Sequence, residues 1–299
     1  MFSTSNDCLE DNQAALDARH FYDVYRERFK KLPPIFTLSE MFPYYGFVQV
    51  KVGDASFWMF SANDCPVALH YFWKGQYEPT STKVWEILCR QINGLVLDVG
   101  SHTGLYSLIA NAHQCSVIAY EPVSPVFARL QINVQVNSQG RISVRQRAVS
   151  NKEKGKVYIP NPRMDTLLPT GSKIVEDDFD KDDIYAVPSI SLDHDILKDT
   201  QLSQKKVSLL KIDVEGHEHE VIQGMVKLLE SYFPILLVEC LTHTQFLKCQ
   251  DLLKKMDYCA YQILESQQRL IPQTKQMIGN ILFINQNSSH LDLIEEFAN

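Results

Sequence analysis

Leu95-Val96-Leu97-Asp98-Val99-Gly100-Ser101-His102-Thr103-Gly104 is an apolar run that ends in an acid and breaks into a glycine-punctuated turn. The run reads as a short buried strand, and Thr103 to Asn111 beyond it reads as an apolar helix. Gly100 permits a tight turn and a close backbone approach by a ligand, and Gly104 lets the helix pack closely on the strand. A strand–turn–helix of this kind is where an open α/β sheet binds its ligands.

Outward from this segment the pattern repeats. Strands are expected at Ser116–Tyr120, Ile142–Val149, Val207–Ile212, Ile235–Glu239, Tyr258–Leu264 and Ile278–Ile284. Helices are expected at Ser124–Val136, Glu218–Leu229 and Thr244–Lys255. With Leu95–Val99 this makes a doubly wound, mostly parallel, seven-stranded Rossmann-like α/β sheet. Upstream, residues 15–32 read as a helix stopped by Pro33-Pro34, and 47–60 as a β-hairpin around Gly53-Asp54. The division expected is an N-terminal helix and hairpin extension over 1–79 and an α/β domain over 80–290. Residues 151–190 interrupt the alternation with a short strand, Lys156–Ile159, and the acidic run Glu176 to Asp183. That run reads as a solvated loop, with a lid over the site as the sharper reading.

The turn has the spacing DxGxxxG. A phosphate-binding dinucleotide loop needs GxGxxG, so an NAD-linked oxidoreductase is disfavoured. S-adenosylmethionine carries no phosphate; its ammonium and carboxylate suit an acid plus backbone N–H donors. The second strand ends in Glu121-Pro122, twenty-one residues after Gly100. An acid at that place accepts from ribose hydroxyls. Asp98, Gly100, Ser101, His102 and Gly104 are therefore assigned to the methionine side of the cofactor, and Glu121 and Pro122 to the ribose. Ala148 and Val149 are assigned to the adenine border. Glu78, in Gly75-Gln76-Tyr77-Glu78-Pro79, is a further candidate on the methionine side. Tyr71, Phe72 and Trp73 read as cover for the sheet in preference to an acceptor site.

Lys211-Ile212-Asp213-Val214-Glu215-Gly216-His217-Glu218 lies at the end of the fourth strand, and Val238-Glu239 ends the fifth. Together with LDVGSHTG, Tyr120-Glu121-Pro122, Ala148-Val149-Ser150, Ser191-Leu192-Asp193 and PILLVE at 234–239, these blocks resemble the FkbM-type methyltransferases over roughly residues 70–285. The resemblance implies methyl transfer from S-adenosylmethionine to an oxygen of a sugar, glycan or secondary metabolite. One position departs from the family: the Asn of its DVGAN motif is His102 here. Asp213, His217 and Glu239 are read as facing the acceptor, with His217 or Asp213 as the base. Asp213 also borders the cofactor. Asp213, Glu215, His217 and Glu239 are chemically suited to a divalent ion such as Mg²⁺, although no spacing requires one and no metal ligand is assigned. The rival reading is a binding protein that kept the fold and lost the chemistry.

Composition narrows the rest. The chain has 299 residues and a formal net charge of -7, without a long basic cluster, which argues against nucleic acid as partner. Seven scattered cysteines form no CxxC pair, so neither a zinc nor a disulfide framework is expected. No signal-peptide pattern and no membrane span are visible, and a cytoplasmic location is expected. The partners expected are a small-molecule or glycan acceptor and, through the N-terminal extension, a second copy in a homodimer.

Overall fold

The computed structural model describes residues 5–24, 33–138, 140–161, 167–169, 174, 184–291 and 294. The chain enters through α1 (Ser5–Val24) and α2 (Ile35–Met41). An antiparallel hairpin follows, β1 (Tyr45–Val52) and β2 (Ala55–Ala62), turning at Gly53-Asp54. Next come α3 (Pro66–Lys74) and α4 (Pro79–Gln91). The alternating part then runs β3 (Leu95–Val99), α5 (Leu105–Ala112), β4 (Ser116–Tyr120), α6 (Ser124–Asn137) and β5 (Ile142–Arg145). After β6 (Ala148–Val149), β7 (Lys154–Pro160) and β8 (Ile184–Ile190) it continues with α7 (Leu192–Leu197), β9 (Val207–Ile212), α8 (Glu218–Gln223) and α9 (Val226–Tyr232). It ends with β10 (Ile235–Cys240), α10 (His243–Leu253), β11 (Tyr258–Leu264), β12 (Arg269–Pro272) and β13 (Gly279–Asn285).

The main sheet has the order β12-β11-β13-β10-β9-β3-β4-β5. Its five strands from β10 to β5 are parallel, and β13, β11 and β12 attach antiparallel at one edge. The seven strands read from sequence are all present, and β12 adds an eighth. It is four residues long, holds Pro272 and forms the edge, where a missing N–H costs nothing. Every residue of β3 is buried, which is why a continuous apolar run specified it. Each fully buried branched side chain there contributes roughly 1.5–3 kcal/mol.

Two expected elements are divided. Ile142–Val149 is β5 plus β6, which belong to different sheets. The N–H of Arg147 bonds the carbonyl of Arg145 at 2.9 Å, a tight turn that ends the first strand. β6 then pairs with β8 in a small sheet completed by β7. Glu218–Leu229 is α8 plus α9. Gly224 packs so closely on the carbonyl of Ser150 that no Cβ fits. Asp193 then caps the new start, accepting from the N–H groups of Lys227 at 3.0 Å and Leu228 at 2.9 Å. Residues 25–32 and the acidic run 176–183 lie outside the described residues.

The N-terminal elements share a core with one face of the main sheet. Tyr71, Phe72 and Trp73 of α3 are buried in it, so they cover the sheet. Two asparagines of α6 serve as partners for the free edge of β2. Asn137 exchanges two hydrogen bonds with the backbone of Trp58, at 2.8 and 2.6 Å. Asn133 accepts from Phe60 N at 2.8 Å and donates to the carbonyl of Thr103 at 2.8 Å. Among the described residues no helix is long and apolar enough to cross a membrane.

Candidate active site

Parallel strands end on one side, and their terminal residues line a cleft of about 260 Å³. The loop after β3 supplies Gly100 to Thr103, the end of β4 supplies Tyr120 to Val123, and β6 supplies Ala148 and Val149. Asp213 to Glu215 follow β9, and Glu239 is on β10. Val67, Tyr77 and Glu78 enter from the N-terminal side, while Ile159, Pro169 and Ile174 of the interrupting region close another. Leu168 anchors that region through a 2.8 Å bond from its N–H to the carbonyl of Asp64.

The turn after β3 needs its glycines. Gly100 has φ +77°, and a Cβ there would run into the carbonyl oxygen of Asp213. Gly104 has φ +96° and faces Leu130. His102 also has a left-handed backbone, φ +48°. Asn and His are among the few side chains that tolerate it, so His can stand where the family has Asn.

Glu121 is buried, and both carboxylate oxygens are engaged by backbone. Oε2 accepts from His102 N at 3.0 Å and Oε1 from Val123 N at 2.8 Å. Each oxygen retains a second lone pair. Burial, against those two N–H bonds, raises its pKa to about 8.

Lys211 is 1% exposed and organises the other acids. Its Nζ lies 3.1 Å from Asp213 Oδ2 and 3.1 Å from Asn280 Oδ1, and 5.1 Å from the Tyr106 ring centroid. Glu78 Oε2 accepts from Tyr106 Oη at 2.7 Å and from Asn280 Nδ2 at 3.2 Å. Burial raises the pKa of Glu78, with Lys211 opposing. Burial and the neighbouring Asp213 charge raise Glu239 to about 9, so it keeps its proton at neutral pH and hydrogen-bonds Asp213. Burial works against ionised Asp213 too, but Lys211 and the Glu239 proton overcome it and hold its pKa low. The group thus sets the Lys211 cation beside the Asp213 carboxylate, with burial pushing Glu78 and Glu239 toward their protonated forms. The acceptor oxygens of these acids suit the donors of a cationic ligand.

Of the residues assigned from sequence, Glu78, Gly100, Ser101, His102, Glu121, Pro122, Ala148, Val149, Asp213 and Glu239 line this cleft together. Asp98, Gly104 and His217 do not. Asp98 sits behind the turn, 1% exposed, taking the Ser107 hydroxyl at 2.5 Å on Oδ2, with its pKa raised by burial to about 6. His217 Nε2 lies 2.9 Å from Ser150 Oγ and Nδ1 lies 3.6 Å from Glu220. Sequence reasoning missed Tyr106, Arg147 and Asn280. An amide inside the apolar strand Gly279–Asn285 was the available signal for the last.

Asp213, Glu215 and Glu239 each offer an oxygen within 4.8 Å of the others. The set does not fit a divalent ion well, because Lys211 already neutralises Asp213 and Glu239 holds a proton.

Sheet order and the parallel run of five strands define a Rossmann-like α/β fold. Residues 98–263 match the model of the methyltransferase FkbM domain, and the chain belongs to that family. Methyltransferase 1 of Beauveria bassiana is 22% identical over 154 residues, which is 44% of this chain and 59% of that relative. Among solved structures, an FkbM methyltransferase from Methylobacillus flagellatus KT is similar at TM-score 0.42 and 12% identity, covering 91% of this chain and 60% of that one. A SAM-dependent O-methyltransferase from Thermotoga maritima gives TM-score 0.38 and 13% identity, covering 82% and 80%.

Proposed function

We propose that the protein is an S-adenosylmethionine-dependent O-methyltransferase acting on a hydroxyl of a sugar, glycan or secondary metabolite. The observation that carries this is the pairing, in one cleft, of Glu121 with the cluster of acids around Lys211. Glu121 offers two lone pairs to ribose hydroxyls. The cluster favours a cationic ligand and disfavours a dinucleotide pyrophosphate. When bound, the cofactor supplies an electrophilic methyl carbon on a positively charged sulfur.

The chain's own residues then bind and orient. Gly100 lets the backbone approach, and Ser101, His102 and Glu78 border the methionine end. Ala148 and Val149 border the adenine. Asp213, steadied by Lys211 and the Glu239 proton, accepts a hydrogen bond from the acceptor hydroxyl and aligns it. His217 is a positioning residue that joins the loop after β9 to Ser150. The same reading includes a cytoplasmic location and a homodimer through the N-terminal extension, checked by fractionation and light scattering.

Calorimetry with S-adenosylmethionine, S-adenosylhomocysteine and NAD⁺ tests the reading. Binding of the sulfur ligands alone supports it, and no heat from either sulfur ligand removes it. Transfer of a labelled methyl group to a panel of glycosides and lipid-linked glycans then identifies the acceptor.

A further inference from the structure

Glu78 is the N-cap residue of α4, and Pro79 takes the first helical position. A carboxylate at an N-cap normally turns onto the N–H groups of the second and third helical residues, here Thr80 and Ser81. Glu78 does not, and its side chain makes no capping bond. Oε2 instead accepts from Tyr106 and Asn280. Oε1 takes no hydrogen bond among the described residues and is not closed off from solvent, and the residue lines the cleft.

The cap comes from a distant part of the chain. Glu265, in the turn between β11 and β12, accepts from Thr80 N at 2.8 Å on Oε2 and from Ser81 N at 3.1 Å on Oε1. The Ser81 hydroxyl also bonds Oε1, and the Glu265 carbonyl takes the Thr80 hydroxyl at 3.3 Å. The helix dipole favours a carboxylate at this end. The turn that carries Glu265 is closed by the pairing of Leu264 with Arg269, so it depends on the short edge strand β12.

The backbone of Glu78 is held under constraint. Its φ of +43° is left-handed, and the proline after it pushes a residue toward extended backbone. Such a conformation persists only where its surroundings over-determine it. Thr82 grips the Glu78 carbonyl with its N–H and its hydroxyl, each at 2.9 Å. Glu265 fixes Thr80 and Ser81, which lie between the two.

We propose that Glu265 is a positioning residue for the methyl donor: by capping α4 in place of Glu78, it keeps the Glu78 carboxylate turned into the cleft, toward the ammonium of the donor's methionine end. This role rests on the methyl-donor reading above, which puts Glu78 at that end. Without Glu265, the freed N–H groups of Thr80 and Ser81 compete for the Glu78 carboxylate, which stands at the cap position that ordinarily serves them. Ligand affinity is thereby tied to an edge hairpin whose residues do not line the cleft.

The test uses the full chain and calorimetry with two probes. S-adenosylhomocysteine carries the methionine end; 5′-methylthioadenosine lacks it and keeps adenine, ribose and sulfur. Glu265→Ala is expected to lose about tenfold in S-adenosylhomocysteine affinity, the scale of one charge-assisted hydrogen bond, and to keep 5′-methylthioadenosine affinity within about twofold. Glu78→Gln is expected to split the two probes in the same way. The double variant is expected to be no weaker than the weaker single variant, because both changes remove the same interaction. Glu265→Gln keeps one acceptor oxygen for the helix and is expected to lose about threefold for S-adenosylhomocysteine alone, a measurement that stands even if the alanine variant does not fold. Unchanged S-adenosylhomocysteine affinity in the Glu265 variants, equal weakening of both probes, or additive losses in the double variant overturns the proposal and leaves Glu265 a helix cap only. If the parent chain does not bind S-adenosylhomocysteine, the methyl-donor reading falls, and this role with it.

Discussion

The backbone N–H of His102 donates to Glu121 Oε2 at 3.0 Å, tying the turn after β3 to the end of β4. The acid proposed to hold ribose and the turn proposed to border the methionine end are thus parts of one small framework. Glu121→Gln replaces one acceptor oxygen with an NH₂ that confronts a backbone donor. Leaving a buried backbone donor without its acceptor in this way costs about 1–3 kcal/mol, or roughly five- to hundredfold in affinity. Calorimetry with S-adenosylhomocysteine should show that loss; unchanged affinity would remove Glu121 from the cofactor site.

Stability should fall as the solution becomes alkaline. Glu121 and Glu239 have folded-state pKa values raised from 4.5 to about 8 and about 9. Between the ordinary and raised values the folded protein binds more protons than the unfolded chain, so stability decreases as pH rises. Their contribution is complete below about pH 4.5 and is lost through about pH 8 and 9. Glu239→Gln mimics the protonated acid and cannot ionise. Melting curves at pH 6 and pH 9 should show a smaller alkaline loss for the variant than for the parent chain.

Lys211→Met should be strongly destabilising. It leaves Asp213 and Glu78 without their shared cation in a largely dry site, and breaking such a buried pair costs about 3–5 kcal/mol. Urea titration measures this directly. A loss below about 1 kcal/mol would mean the pair behaves like a solvated surface bridge.

Metal should not matter. With Lys211 beside Asp213 and a proton on Glu239, neither Mg²⁺ nor a chelator should move the melting temperature. A rise that follows Mg²⁺ concentration would show binding to the folded state and contradict this.

The fold was legible where burial left one interpretation. β3, β4 and β9 match their expected limits residue for residue, because a mostly apolar run between turn signals suits a strand covered on both faces. The division at Gly224 was not legible, since it depends on the carbonyl of Ser150 arriving from a distant segment. The strand-end acids could be placed together because parallel topology sends every such end to the same side. The pairing of Lys211 with Asn280, 69 residues apart, depends on β13 entering antiparallel beside β10.

Asn133 touches the backbone of both β2 and Thr103, so the hairpin and the turn after β3 lean on a single amide. A mechanical reading follows. The N-terminal elements act as a brace for the cofactor turn, and a change in the hairpin far from any reacting atom would be transmitted there. Asn133→Asp keeps the acceptor for β2 and deletes the donor to Thr103, releasing one end of that brace while the other stays fastened.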